Sequence, residues 1–264
     1  LDYYDEYLLE IEFIPFIGGY YNSNFQIPDR LHYPLHSDSL VSYEQFKDRR
    51  SSYKIFGLRE NTLKDNFYKN NIVKIDSFYI TKYCITNGQY LQFVLDNGYK
   101  NYTNWSLEGI YWREYENISC PKNWFNKDNI WYINKKPIDE VKNVAITNIS
   151  YYEAEAFANY SGARLPTEYE WEWIATNRNK TIYPWGLEHP STYKINSNFL
   201  NNGPIHNIFL SSSNSLYNIG HLLGNVWEWT STNEKNNIVP KGTNSSICRV
   251  VKGGCWCMPS YLIT

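Results

Sequence analysis

Hydrophobic and polar positions fall into short, separate rhythms along this chain. Ile11-Glu12-Phe13-Ile14-Pro15-Phe16-Ile17 carries strand-forming residues, with Pro15 expected to break the strand and Gly18-Gly19 to turn it. Ile72-Val73-Lys74-Ile75-Asp76-Ser77-Phe78-Tyr79-Ile80 reads as a further strand. Thr86-Asn87-Gly88-Gln89 is a capping box, in which an N-cap hydroxyl and an amide or acid at the third helical position satisfy each other's backbone N–H groups. It predicts a helix with Tyr90, Phe93 and Val94 on its apolar face, stopping near Gly98. Ser150-Tyr151-Tyr152-Glu153 opens a second helix, with Ala154, Phe157 and Ala158 inward and a stop at Gly162. Thr167-Glu168-Tyr169-Glu170 opens a third, with Trp171, Ile174 and Ala175 inward.

Elsewhere the rhythm weakens. Trp105, Trp112, Trp124 and Trp131 belong to a stretch expected to be aromatic loop, and 177–217 is expected to be loop with Pro184-Trp185-Gly186 as a rigid corner. Period 2 returns in Val226-Trp227-Glu228-Trp229-Thr230, behind a tight turn at Leu223-Gly224-Asn225. It returns again in Arg249-Val250-Val251-Lys252, which runs into Gly253-Gly254, where another segment must approach the backbone closely. With no βαβ alternation and no repeat, the expected class is irregular α+β.

The odd residue in these patterns is Glu228, a carboxylate set between two indoles and expected to be buried. A buried charge must be paired or bind a metal, because leaving it bare costs several kcal/mol. Arg164, Arg249 and Lys252 are the candidate cations. His32, His36 and Asp38 have metal-ligand spacing, but Pro34 between the histidines disrupts the helix that would present them, so they read as ordinary polar residues. Cys84, Cys120, Cys248, Cys255 and Cys257 are odd in number and lack a framework spacing, which argues against a disulfide scaffold. A Cys-x-Cys pair on a strand would point both thiols to one side.

Composition narrows the functional classes. Aromatics are 18% of 264 residues, enough for a core with little regular structure. A net charge of −2 with no basic block argues against a nucleic-acid surface. No apolar run approaches the roughly 20 residues that span a bilayer, and no leader is visible, although in a chain that starts at Leu1 this says little about compartment; a cytoplasmic protein is expected. The chain starts at Leu1 and its single methionine is Met258, so it reads as a fragment or a processed product.

Five groups of residues, in this order, resemble one superfamily: Ile85-Thr86-Asn87-Gly88-Gln89-Tyr90, Ala163 to Glu172, Tyr183-Pro184-Trp185-Gly186, Gly224 to Thr230, and Lys252-Gly253-Gly254. It is the formylglycine-generating enzyme, or sulfatase-modifying factor, domain superfamily. The resemblance implies an α+β, C-type-lectin-like fold with a small twisted sheet, short helices and extensive loops. It places the domain at 11–264, apparently truncated at its C-terminus, with 1–10 as a linker or the end of an upstream element. Within the superfamily, Asn97-Gly98-Tyr99, Trp105 to Gly109, Pro121 to Trp124 and Pro259 to Thr264 are similar to ergothioneine- and ovothiol-type sulfoxide synthases.

That branch implies non-haem iron held by an upstream helical domain absent from this chain, O₂, and small-molecule thiol and histidine-derived substrates joined through a C–S bond. The domain here would cover the iron site and bind substrate through Trp227, Trp256, Gly253 and Gly254, without activity of its own. The resemblance also implies possible structural calcium on Glu228 and the carbonyls of Gly224 and Val226, with His221 in the remaining ligand position. Two alternatives stand beside it. In a formylglycine-generating cysteine oxidase, Cys257 and Cys255 would be catalytic and bind copper(I); Cys257 lies close to the first family position, but Leu262 stands at the second. In a non-catalytic lectin-like module, exposed Trp and Tyr of 100–135 and 183–217 would form the binding face.

Overall fold

The computed structural model describes residues 11–22, 72–188, 190, 194–197, 215–233 and 249–258. Its strands are β1 (Phe13–Phe16), β2 (Gly19–Asn22), β3 (Ile72–Ile75), β4 (Phe78–Thr81), β5 (Trp124–Lys127), β6 (Ile130–Ile133), β7 (Lys136–Pro137), β8 (Glu228–Asn233) and β9 (Arg249–Lys252). Its α-helices are α1 (Asn87–Leu95), α2 (Leu107–Glu116), α3 (Ile138–Val141), α4 (Tyr151–Tyr160) and α5 (Glu168–Ala175), with a 3₁₀ turn at Tyr102–Asn104. The class is α+β, with short helices and small sheets. The chain divides into two units, Leu1–Gly19 with Ile75–Thr264, and Tyr20–Lys74. In the second, the described residues belong to the two-stranded ladder of β2 and β3.

All three capping boxes form. Gln89 N donates to Thr86 Oγ1 at 3.1 Å while Thr86 N donates to Gln89 Oε1 at 2.9 Å, starting α1. The same exchange links Ser150 with Glu153 at α4 and Thr167 with Glu170 at α5. The stretch expected to be aromatic loop is structured instead. Ser106 caps α2 through the N–H of Gly109 at 3.3 Å, and β5, β6 and β7 pair antiparallel through two tight turns. Asp128 and Asn129 have φ of 52° and 63°, as a two-residue hairpin of matching twist requires, and Asn134 and Lys135 repeat this at 49° and 70°.

Two strand expectations need correction. Pro15 does not break β1: it lies opposite Tyr79 in the two-stranded β1–β4 ladder, where a missing N–H is tolerated at a sheet edge. The run from Ile72 to Ile80 is two strands, because β3 ends at Ile75 and β4 begins at Phe78.

The core gathers on α1. Tyr90, Leu91 and Phe93 are wholly buried and pack with Tyr99, Trp105, Trp124, Ile133, Ile138 and Phe157. Tyr90 stacks on Phe157 at 5.1 Å between ring centroids, and Phe93 meets Phe157 edge-on at 5.9 Å. The Trp105 indole donates to Gly98 O at 2.9 Å, which satisfies its one donor inside the core. Trp105 and Trp124 are therefore core residues and unavailable to a lectin-like binding face. Rings supply most of this cluster's apolar area, so few regular elements suffice to cover it.

Candidate functional site

The site begins at a turn that side chains would block. Gly224 has φ of 76°, and a Cβ there would stand 2.5 Å from the carbonyl oxygen of Asn196. Gly253 has φ of 91°, and its Cβ would stand 2.7 Å from the carbonyl oxygen of Leu222. Both positions need a left-handed backbone and a bare Cα, so glycine is required twice over. The close approach expected at Gly253 is thus made by the segment before Gly224. Gly224 N donates to Gly253 O at 2.7 Å, Asn225 N to Asn196 O at 2.8 Å, and Trp256 N to Asn225 O at 2.9 Å.

Beyond this corner β8 and β9 pair antiparallel, with Glu228 opposite Lys252 and Trp229 opposite Val251. Thr230, fully buried, donates to Val250 O at 2.8 Å, and the Trp229 indole donates to Ile149 O at 3.2 Å. Trp227 and Trp256 stay outside, 43% and 37% exposed, Trp227 just before β8 and Trp256 in the turn after β9. Gly224, Val226, Gly253, Gly254, Trp227 and Trp256 therefore share one corner of the fold. Val226 is buried against Ala145.

Glu228 does not pair with any of the expected cations. Arg164 binds Glu170 with both nitrogens at 2.8 and 2.6 Å, and Lys252 bonds Glu172. Arg249 donates to Ser231 O at 3.0 Å and lies over the Tyr151 ring. The carboxylate of Glu228 accepts instead from the Trp171 indole N–H at 3.0 Å and faces the Cys84 thiol at 3.7 Å. Glu228 as a residue is half-buried, but its carboxyl group sits beside a cavity of about 30 Å³ that Ile80, Tyr83, Cys84 and Trp171 help to line. That volume holds one or two waters and excludes an amino-acid substrate.

Burial pushes the Glu228 carboxyl up to about 7, against the pull of the Trp171 and Cys84 hydrogen bonds. Burial likewise drives the Cys84 thiol well above its ordinary range, and the neighbouring Glu228 adds to the effect. Neutral donors therefore satisfy the group where a cation was expected. Calcium does not fit this arrangement, since a hard cation needs ionised or carbonyl oxygens turned toward it. Here an N–H and an S–H point at the two carboxyl oxygens. Trp171 was legible as an inward helical residue, but its role as Glu228's donor was not. Cys84 carried no signal in the sequence at all, because its partner lies 144 positions away.

The two thiols of the Cys-x-Cys pair do meet, with Cys255 Sγ and Cys257 Sγ 3.0 Å apart. They sit in a turn after β9 rather than on the strand, closed by Met258 N donating to Cys255 O at 3.0 Å. Burial pushes the Cys255 thiol up to about 11, while Cys257 is exposed. His32, His36, Asp38 and Cys248 lie outside the described residues. Among the described residues no group of three or more His, Cys, Asp or Glu could hold a metal ion, and no helix is long and apolar enough to cross a membrane.

Residues 55–263 match the sulfatase-modifying factor enzyme 1-like domain family. Over 178 residues the chain is 32% identical to hercynine oxygenase of Mycobacterium tuberculosis, covering 64% of this chain and 40% of that protein. It is 32% identical over 213 residues to hercynine oxygenase of Mycolicibacterium smegmatis, covering 73% and 49%. Against formylglycine-generating enzyme of Bos taurus it is 28% identical over 226 residues, covering 72% and 59%. The chain spans under half the length of these hercynine oxygenases.

Proposed function

This chain belongs to the sulfatase-modifying factor enzyme 1-like domain family, and from that premise we propose that it is the C-type-lectin-like domain of an iron-dependent sulfoxide synthase. The reaction would join a thiol to a histidine derivative through a C–S bond. The likeness to hercynine oxygenases carries the reading, and the corner at Gly224 and Gly253 supports its substrate-binding part. The described residues do not supply an iron site; in this reading an upstream helical domain holds the iron, and residues 11–264 cover it.

What these residues contribute is binding, orientation and exclusion of water. A histidine betaine carries a quaternary ammonium group, which indole faces attract through their quadrupole. Trp227 and Trp256 are the exposed indoles at the corner, and Gly253, packed against the Leu222 carbonyl and the Trp171 ring, and the buried Gly254 shape the backbone that presents them. The Glu228–Trp171 hydrogen bond fixes the ring that packs under Gly253, 3.4 Å from where a Cβ would stand. Glu228 thereby acts as a positioning residue behind the corner.

The test is a tryptophan-fluorescence titration of the 264-residue protein with hercynine. A saturable change is expected, weakened about ten-fold by Trp227→Ala or Trp256→Ala, the effect of losing one anchoring ring. No saturable change, together with tight one-to-one copper(I) uptake lost in Cys257→Ser, would overturn the reading and move the assignment to a cysteine oxidase.

A further inference from the structure

Cys255 and Cys257 have no part in that substrate reading, yet the fold brings their sulfurs to 3.0 Å. A disulfide needs about 2.05 Å, a small further approach by rotation about the side-chain bonds. Two thiolates sharing one tetrahedral ion at about 2.3 Å each would stand roughly 3.8 Å apart. The observed 3.0 Å lies between these two values, inside the contact distance of two separate sulfurs and within reach of a bond. Turn geometry contributes too, since the Met258 N to Cys255 O bond encloses Trp256 and Cys257 at its tip. Its other side is tied down, with Trp256 N held by Asn225 O and Gly254 in a left-handed conformation at φ of 73°. A held turn keeps two thiols facing each other without the chain entropy that closing a free loop would cost.

We propose that Cys255 and Cys257 are a thiol–disulfide exchange site for low-molecular-weight disulfides, with Cys257 as the attacking thiol and Cys255 as the resolving one. The Cys257 thiolate attacks one sulfur of the small disulfide, forming a mixed disulfide and releasing one small thiol. Cys255 then loses its proton to solvent and attacks Cys257 Sγ. This closes the Cys255–Cys257 bond and releases the second small thiol, so the protein dithiol is oxidised by two electrons and the small disulfide reduced by two. Exposure assigns the order, because Cys257 is open to solvent and Cys255 is half-buried. Half-burial makes Cys255 the less accessible first nucleophile and the better-shielded second one. The oxidised pair would stiffen the turn that carries Trp256, beside the corner proposed to meet substrate.

The experiment incubates the full chain with cystine and follows it by intact mass. Trypsin cleaves after Lys252, so Cys255 and Cys257 fall in one peptide beginning at Gly253 and separate from Cys248. The expected product is that peptide, lighter by two hydrogens and restored by dithiothreitol, with almost no cysteine adduct. Cys255→Ser should accumulate the mixed disulfide on Cys257 to at least about ten times the wild-type level, and Cys257→Ser should lose most of its reactivity. A wild-type protein that keeps the adduct on Cys257, or pairs either thiol with Cys84, Cys120 or Cys248, overturns the proposal. So does a pair that does not react. Circular dichroism of both variants confirms that they are folded, and none of these outcomes depends on whether hercynine binds.

Discussion

Glu170 and Glu228 lie on α5 and β8, elements that pack against each other, and each sits beside Trp171, one in sequence and one in space. Burial pulls both carboxyl groups toward the neutral form. At Glu170 the Arg164 guanidinium and the Thr167 N–H more than reverse that pull, so its pKa falls below the ordinary carboxylate value. At Glu228 an indole and a thiol cannot, and the pKa climbs to about 7. The partner decides the charge, since depth pushes both groups the same way. The glutamate in the most motif-like stretch of the chain has its pKa raised into the neutral range, whereas the one that reads as a simple helix cap carries a firm ion pair.

Substituting the two glutamates should split them. Glu170→Ala removes a paired carboxylate that also completes the α5 cap, and should cost about 3 kcal/mol at pH 7, read as a fall in the denaturant midpoint. An effect under about 1 kcal/mol would place Glu170 in the class of exposed ion pairs. Glu228→Gln should act in the opposite direction above neutrality. Its folded pKa is raised, so the stability it contributes is fully present below about 4.5 and is lost as pH rises through about 7. The wild type should therefore lose on the order of 2–3 kcal/mol between pH 5 and pH 8, and the Gln variant should lose none of that share. At pH 8 Gln should be the more stable protein by about 2 kcal/mol, contrary to what cation pairing would have required. Equal slopes for the two proteins would sink this account of Glu228.

Smaller effects sharpen the contrast. Thr167→Ala leaves the Arg164–Glu170 pair in place and removes one cap bond, so it should cost about 1 kcal/mol. An unchanged midpoint would count against the helix start at Glu168. Smallest of all, calcium or a chelator should leave the thermal midpoint unmoved, because both Glu228 oxygens face donors; a calcium-dependent rise that Glu228→Gln abolishes would restore the ion-ligand reading.

What the sequence made legible was what short-range chemistry determines. Thr86, Ser150 and Thr167 declare their helices because the cap and its partner stand three residues apart. Gly224 and Gly253 declare close approach because no other residue tolerates it. The α2 helix stayed hidden because its buried members are Gly109 and Arg113 while Tyr111 and Tyr115 face solvent, so no apolar stripe marks it. The β5–β6 hairpin turns at Asp128-Asn129 rather than at the usual Asn-Gly or Asp-Gly. Glu228 could be singled out as anomalous, but its partners could not be named, since Trp171 and Cys84 reach it from 57 and 144 positions away.

The account places behind the corner a Glu228 whose pKa is raised to about 7, holding Trp171 under Gly253 without an ion. Carbon-13 NMR titration of the side-chain carboxyls, assigned with Glu228→Gln and Glu170→Gln, measures this directly. One carboxyl should titrate near pH 7 and vanish in Glu228→Gln, while the one lost in Glu170→Gln should titrate below the ordinary carboxylate range. A Glu228 signal that titrates at or below about 4.5, as a charged and paired carboxylate does, would contradict it.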